Sequence, residues 1–338
     1  MAPEDAAAWD EFVLAHPHGS PFHLTAWKKS VEETFGYEPH YLLAAEGSVI
    51  WGVLPLFLVK NPLAGRALIS CPFAVYGGIL SGTEEARTAI ARQLQHLGEA
   101  LGVQYIELRN AQDAQCSGFP RISRYVTFTQ EVGPDEDAIL AAIPRKTRYM
   151  VRKALKENFS TRRQSADFSR FDELYARSLH RLGTPAFPRA HFARIVANFG
   201  SQVDIRETIL DGKVVAAVFS FYFRDRILPY YGASDPAYNA AAPNNFMYFD
   251  QMRWGGKNGF RLFDFGRSKK ENSGSRDFKA HWGMKEHDLP YEVLLIRRKE
   301  MPNYSPNNPR FRKFIRAWQA LPYSVTRALG PRLLWMFP

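Results

Sequence analysis

Apolar and polar positions along this chain follow two rhythms that change over at short turns. Alternating or continuous runs of β-branched and aromatic residues predict strands near His40–Ala45, Val49–Val59, Leu68–Cys71, Val103–Leu108 and Tyr125–Thr129. A second series is predicted near Val203–Leu210, Val214–Phe223, Ile227–Tyr231, Arg261–Phe265 and Tyr291–Ile296. Apolar residues three and four apart predict helices near His23–Phe35, Glu84–Leu101, Phe168–Leu182, Arg189–Phe199 and Asn244–Asn258. Each half then reads helix, strand hairpin, strand, helix, strand. The expected fold class is therefore α/β with mixed sheets.

The two halves also match each other. EGSVIWGVLPLFLV around Gly47 and DGKVVAAVFSFYF around Gly212 are each an acidic-Gly turn followed by a long apolar strand. CPFAVYGG, ending at Gly77–Gly78, pairs with LPYYGAS through Gly232. GVQYIELR from Gly102 pairs with GFRLFDFGR from Gly259, each placing an acid (Glu107 or Asp264) near an Arg. The three glycine offsets all fall at roughly 155–165 residues, the near-constant spacing of a duplicated unit. The expected domains are 1–143, 144–306 and a C-terminal helical tail over 307–338.

Between the halves, IPRKTRYMVRKALKEN predicts a helix that Pro144 can open without losing a hydrogen bond. Arg145, Lys146, Arg148, Arg152, Lys153 and Lys156 share one broad face, and Thr147, Met150, Val151 and Ala154 the other. Cations at a helix start oppose its dipole, so either an anion compensates them or the face is solvated.

Composition narrows the function classes. The 338 residues carry 44 Lys plus Arg against 34 Asp plus Glu, a formal charge of +10 that favours anionic partners: nucleic acid, phosphorylated substrates or an acidic membrane surface. Two cysteines, Cys71 and Cys116, offer no disulfide framework, and the nine histidines show no metal-ligand spacing, so no metal is expected. No apolar run reaches the roughly 18–20 residues of a membrane span, and the acidic start MAPEDAAAWDEF has no signal-peptide pattern. The expected location is cytoplasmic. GxSxG, HExxH, P-loop and GxGxxG patterns are all missing.

The run YYGASDPAYNAAAPNNFMYFD, followed by GFRLFDFGRSKKENSGSRDFKAHWG, resembles the second unit of FemAB-related proteins. Within that group it looks like the FemAB-like proteins associated with exosortase/PEP-CTERM and exopolysaccharide systems. SPFHLTAW, GVLPLFLVK and SCPFAVYGG in the first half, and NNPRFRKFIRAWQALP and LGPRLL in the tail, extend the resemblance over nearly the whole chain. It implies two tandem N-acetyltransferase-like (GNAT) folds. It also implies transfer of an acyl group from a thioester such as acyl-CoA, or of an amino acid from aminoacyl-tRNA. The long helical-hairpin arm of some Fem proteins has no counterpart here, which weakens a direct inference of tRNA use and of a peptidoglycan acceptor.

Both donors imply one reaction, attack of an amine on an activated carbonyl, which needs positioning, a proton path and an oxyanion donor but no protein nucleophile. Asp264 and Arg267 end a predicted strand, where open sheets place ligands. Asp264 would accept the amine proton or orient the acceptor, and Arg267 would hold a phosphate or carboxylate; alternatively the two form a structural ion pair. Asn244 and Asn245 sit at a predicted helix start, the junction that holds the donor's pyrophosphate in GNAT-like folds, although the usual Gly-rich loop is replaced by AYNAAAPNN; alternatively either Asn is simply the helix N-cap. Tyr231 ends a strand as a candidate substrate contact or core residue, and Gly232 permits close backbone approach. Ser268, Lys279 and Trp282 follow from the resembling motif, and Arg145 and Lys146 from the basic helix.

In the tail, Phe311, Phe314, Ile315, Trp318 and Leu321 form one stripe opposite Arg312, Lys313 and Arg316, with Leu333–Phe337 beyond. That stripe either packs on the domain or in a dimer, or gives peripheral contact with the inner face of the membrane. The leading expectation is an N-acyl- or aminoacyltransferase acting on an anionic or lipid-linked precursor of the cell envelope or an exopolysaccharide. With an aminoacyl donor, tRNA is an expected partner. The rivals are an acyl-CoA-dependent N-acetyltransferase of a small amine, and a non-catalytic adaptor or nucleic-acid-binding protein.

Overall fold

The computed structural model describes residues 1–61, 65–111, 116, 118–271, 273–301 and 309–334. In chain order the first helices and strands are α1 (Ala6–Ala15), α2 (Thr25–Phe35), β1 (Glu38–Pro39), β2 (Leu42–Glu46), β3 (Val49–Leu54), β4 (Phe57–Asn61), β5 (Gly65–Ile69) and β6 (Leu80–Ser81). Next come α3 (Glu84–Leu101), β7 (Tyr105–Leu108), β8 (Arg121–Glu131), α4 (Glu136–Ala142), α5 (Arg145–Ala154) and β9 (Ser160–Gln164). Then follow α6 (Ser169–Leu182), α7 (Arg189–Phe199), β10 (Val203–Leu210), β11 (Lys213–Phe223), β12 (Arg226–Ser234) and α8 (Pro243–Lys257). The remainder is β13 (Leu262–Asp264), β14 (Ser268–Lys269), α9 (Ser273–Ala280), β15 (Lys285–Leu295), α10 (Pro309–Ala320) and α11 (Tyr323–Leu333). The described residues form two compact units, one drawn from 1–125 and 288–301, the other from 126–287 and 309–334.

In the first unit the strand order is β1-β4-β5-β7-β15, with β5 and β7 parallel, and β2-β3-β6 form a separate three-stranded sheet. The run Val49–Val59, expected as one strand, divides into β3 and β4, which belong to different sheets. Pro55 lies in the break, where its missing N–H removes a ladder donor. Helix α3 buries Ile90 and Leu94 against Leu54, Leu68 and Ile106.

The second unit has the order β8-β13-β12-β11-β10-β9. The period of two in β11 decides what covers each face. Phe219 and Phe221 meet Phe171 of α6 and Phe192 and Phe199 of α7. Val218, Ser220 and Tyr222 instead meet Met247, Gln251 and Trp254 of α8. A core of Val126, Phe128, Phe249, Met252, Phe263 and Trp282 fills the α8 side. The basic helix forms as the pattern predicts: on α5, Thr147, Val151 and Ala154 are buried, while Arg145, Lys146, Tyr149 and Arg152 are exposed.

The expected hairpin glycines are where the pattern puts them. Gly47 closes β2–β3 at φ +58 and Gly212 closes β10–β11 at φ +75. Elements whose pattern is short or polar were not predicted: α1, α4, α9, β1, β6, β9 and β14; α10 and α11 fall within the expected helical tail. The α10 stripe shows the packing alternative, with Trp318 buried and Ile315 against Gly183 of α6's end. The side chain of Phe311 and residues 335–338 lie outside the described part.

Candidate active site

The second unit repeats the strand-helix-strand crossover of the first, but its two parallel strands separate. β12 and β13 pair only at Arg226↔Leu262 and Ile227↔Phe263. Beyond Ile227, β12 runs on through Ser234 paired with β11 alone among its described strand partners. Within that stretch the register shifts: Phe219 opposes Tyr231 while Ser220 opposes Pro229, so Tyr230 is an extra residue in a β-bulge. Pro229, unable to donate to a ladder, sits at the irregularity.

The end of β13 forms the other wall. Asp264 is buried, and its Oδ1 accepts hydrogen bonds from the Thr127 hydroxyl at 3.0 Å and the Gly266 N–H at 2.8 Å. Its Oδ2 lies 3.6 Å from the Arg226 guanidinium. Gly266 has φ +63, a left-handed conformation that a side chain would strain, and the Tyr230 ring lies 3.9 Å from the position of a Cβ there. Arg267 follows, half-buried. The Ser268 hydroxyl is 3.2 Å from that of Ser275.

Lys279 of α9 fixes this turn. Its Nζ donates to the carbonyls of Phe265, Gly266 and Arg267 at 2.7, 2.9 and 3.1 Å. Three acceptors match the three donors of an ammonium. Burial pushes its pKa down to about 7, with Asp264 acting to raise it and Arg267 to lower it further. Trp282 is fully buried in the core beneath, edge-on to Phe265 at 6.0 Å.

Helix α8 supplies the floor. Tyr248 packs on Phe265 at 4.7 Å, and a Cβ at Gly232 would stand 2.7 Å from its hydroxyl oxygen. Burial raises the Tyr248 phenol to about 12, so it stays protonated at neutral pH. At the helix start Asn244 Nδ2 donates to Ser234 Oγ at 2.8 Å. The first turn has no acid and no side-chain cap. The N–H groups of Asn245 and Phe246 bond to the Ala242 carbonyl at 3.0 and 3.2 Å, so the Asn244 N–H is the first-turn donor without an acceptor among the described residues.

Of the residues singled out in the sequence, the structure brings together Asp264, Arg267, Ser268, Lys279 and Trp282 around the β13 turn, and Gly232, Asn244 and Asn245 where β12 meets α8. Tyr231 turns to the opposite face. Its buried hydroxyl lies 3.1 Å from His191 Nε2, among Tyr175, Phe187 and Phe192. Arg145 and Lys146 are exposed at the start of α5, which is tied to α9's end by the Thr147 hydroxyl donating to the His281 carbonyl at 2.6 Å. Sequence reasoning missed Tyr230 and Tyr248. Pro229 within a predicted strand was the signal for the bulge, and the helical spacing of Asn244 and Tyr248 was the signal for the second.

In the first unit the same crossover is filled by its own chain. After the parallel pairing of β5 with β7, Ser70 N–H bonds to the Glu107 carbonyl and Gly77 N–H to the Arg109 carbonyl, both at 2.9 Å. Arg109 is buried: its Nε meets Glu107 at 2.9 Å and its Nη1 donates to the Cys71 and Ala74 carbonyls, both at 3.1 Å. Helix α3 begins with Glu84 and Glu85 and is capped by Thr83 on the Ala86 N–H, which leaves an anion no welcome. Among the described residues no group of His, Cys, Asp and Glu is arranged to hold a metal ion.

Comparison with known proteins bears on the fold. Residues 145–280 match the family model of the acetyltransferase (GNAT) domain. Sequence comparison with curated proteins finds no match. The fold is similar to the crystal structure of FemX at 16% identity and a TM-score of 0.69, covering 86% of this chain and 96% of that one. The C-terminal domain named as that of a lysylphosphatidylglycerol synthetase from Agrobacterium fabrum is similar at 12% identity and TM-score 0.58, with 98% and 96% covered. A tandem GNAT protein from the clavulanic acid biosynthesis pathway is similar at 12% identity and TM-score 0.54, with 89% and 96% covered. The chain has a tandem GNAT fold and carries, over residues 145–280, an acetyltransferase (GNAT) domain, the domain of an acyltransferase.

Proposed function

We propose that the second unit binds an acyl or aminoacyl donor along the open edge of β12 and transfers its acyl group to an amine of a cell-envelope or exopolysaccharide-related precursor. The observation that carries this reading is the two-pair ladder between β12 and β13, opened by the bulge at Tyr230 and unmatched in the first unit. An extended donor arm such as pantetheine can add to that edge as a further strand would. The acid-free start of α8, with the Asn244 N–H and the Asn244 and Asn245 amides, suits the phosphates of coenzyme A or of a tRNA 3′ end.

The amine nitrogen attacks the donor carbonyl, the C–N bond forms, and the C–S or C–O bond to the carrier breaks. Backbone N–H at the bulge would meet the developing oxyanion, and the protonated Tyr248 hydroxyl would give its proton to the departing sulfur or oxygen. The amine proton leaves through water toward Asp264 or the Lys279 edge of the cleft. Asp264, already accepting from Thr127 and Gly266, orients the turn, and Arg267 anchors a phosphate or carboxylate of the acceptor. Resemblance to FemAB-like proteins of exopolysaccharide systems favours a precursor of that kind over a free small amine.

Calorimetry with an acyl-CoA panel, and with charged and uncharged tRNA, separates the donors. Salt-resistant binding of one acyl-CoA assigns a thioester donor; preference for charged over uncharged tRNA assigns aminoacyl transfer; silence from all of them defeats the reading. A nucleic-acid role has one observation of its own. Tyr149, 68% exposed, stands between Arg145 and Arg152 on α5, with Lys156 in the turn beyond, and an aromatic among cations suits unpaired bases. Tyr149→Ala should weaken tRNA binding and leave acyl-CoA binding unchanged if this stretch serves the tRNA.

A further inference from the structure

We propose that helix α11, with the adjoining ends of α10 and α6, docks this protein on an anionic lipid bilayer. The inference stands apart from the acyl-transfer reading and does not need it. Residues that hold α11 to the domain lie on one side: Thr326 and Gly330 are buried, Arg327 pairs with Asp172 of α6, and a Cβ at Gly330 would stand 2.8 Å from the Ala186 backbone nitrogen. Opposite them, at four-residue spacing, Leu321, Val325 and Leu329 are each 38% exposed. Beside α10, whose Gln319 amide donates to the Arg181 carbonyl at 2.7 Å, Leu182 is 65% exposed. Nine large apolar side chains are exposed among the described residues, and four of them are these, on α11 and the adjoining ends of α10 and α6.

Charge identifies what covers that face. From Met301 to the C-terminus the sequence has no Asp or Glu but six cations: Arg310, Arg312, Lys313, Arg316, Arg327 and Arg332. Arg312, Lys313, Arg316 and Arg332 are exposed on the helices themselves. A short apolar ridge flanked by unopposed cations is the pattern of an interfacial helix, whose apolar side chains enter the acyl boundary while the cations meet anionic headgroups. A protein groove would have to bring its own dense negative charge. Val325 and Leu329 of the ridge lie on α11, and Leu321, the last residue of the α10 stripe, extends it; within that stripe Ile315 packs at the end of α6 and Trp318 is buried.

The test is flotation of the full chain with vesicles of phosphatidylglycerol and phosphatidylcholine, against phosphatidylcholine alone, at about 0.1 and 0.5 M salt. Binding should require phosphatidylglycerol and weaken at high salt. Arg312→Glu with Arg316→Glu should lower the bound fraction at least about tenfold, since each surface cation is worth about 1 kcal/mol at such a membrane. Val325→Ser with Leu329→Ser should lower it as well, and melting curves of both variants should match the parent. Failure of the parent to bind, equal binding to phosphatidylcholine alone, or unchanged binding by both variants overturns the proposal. So does a dimer in light scattering that Val325→Ser with Leu329→Ser dissolves while vesicle binding stays absent.

Discussion

Lys279 shows how much one side chain can hold. Its ammonium gathers three successive carbonyls, so Lys279→Met leaves three acceptors without their donor, each costing about 1–3 kcal/mol if water cannot replace it. A clear drop in melting temperature and in transfer rate is expected, with acyl-donor affinity read separately by calorimetry. Because burial lowers its folded pKa to about 7 from 10.5, the unfolded chain binds the extra proton between those values, and the Lys279 contribution to stability rises with pH across that window. At Gly232 the expected change is steric: Gly232→Ala pushes a methyl toward the Tyr248 hydroxyl, so turnover should fall on the order of tenfold. Adding Tyr248→Phe should restore the melting temperature without restoring turnover. At this scale the sequence was uneven. Lys279 and Trp282 came from a motif, and their packing shows why they stand together. Tyr248 stayed hidden because a tyrosine in an apolar helix reads as core until its hydroxyl is seen under Gly232.

At the scale of elements, the alternation in β11 was legible because each face has a different helix to satisfy, and hydrophobic period reports that directly. The break at Pro55 and the bulge beside Pro229 were not, although both carry a proline, since a run of apolar residues masks where a ladder stops. The helix starts make opposite predictions. Asn244→Asp puts a negative charge at the mouth of α8 and should weaken donor binding by about 0.3–1 kcal/mol, a few-fold in Kd. Thr83→Ala removes the cap of α3 and should cost about 1 kcal/mol of stability with no effect on transfer. A donor affinity that responds to Thr83 and ignores Asn244 would place the donor in the wrong unit.

Across the whole molecule, each unit buries a neutral histidine. Burial lowers His23 to about 4 and His191 to about 3, while an unfolded histidine titrates near 6.5. Between these values the unfolded chain takes up protons that the folded one refuses, so each contributes about 1.4 kcal/mol of destabilisation per pH unit as pH falls below 6.5. His23→Gln should flatten the acid limb of a pH–melting profile, and an unchanged limb would show that other groups govern it. The duplication was readable in Gly47 and Gly212 because both must close hairpins at positive φ. It was less informative at Gly77 and Gly232: Gly77 N–H bonds to the Arg109 carbonyl, while Gly232 lies where β12 pairs with β11 alone among its described strand partners.

That difference has a consequence for counting. In the first unit Arg109 and the chain after β5 close the crossover that β12 leaves open in the second, so on the proposed reading only the second unit takes a donor. Titration with a bound donor should saturate at one molecule per chain, with a single-site isotherm and no sign of one half answering to the other.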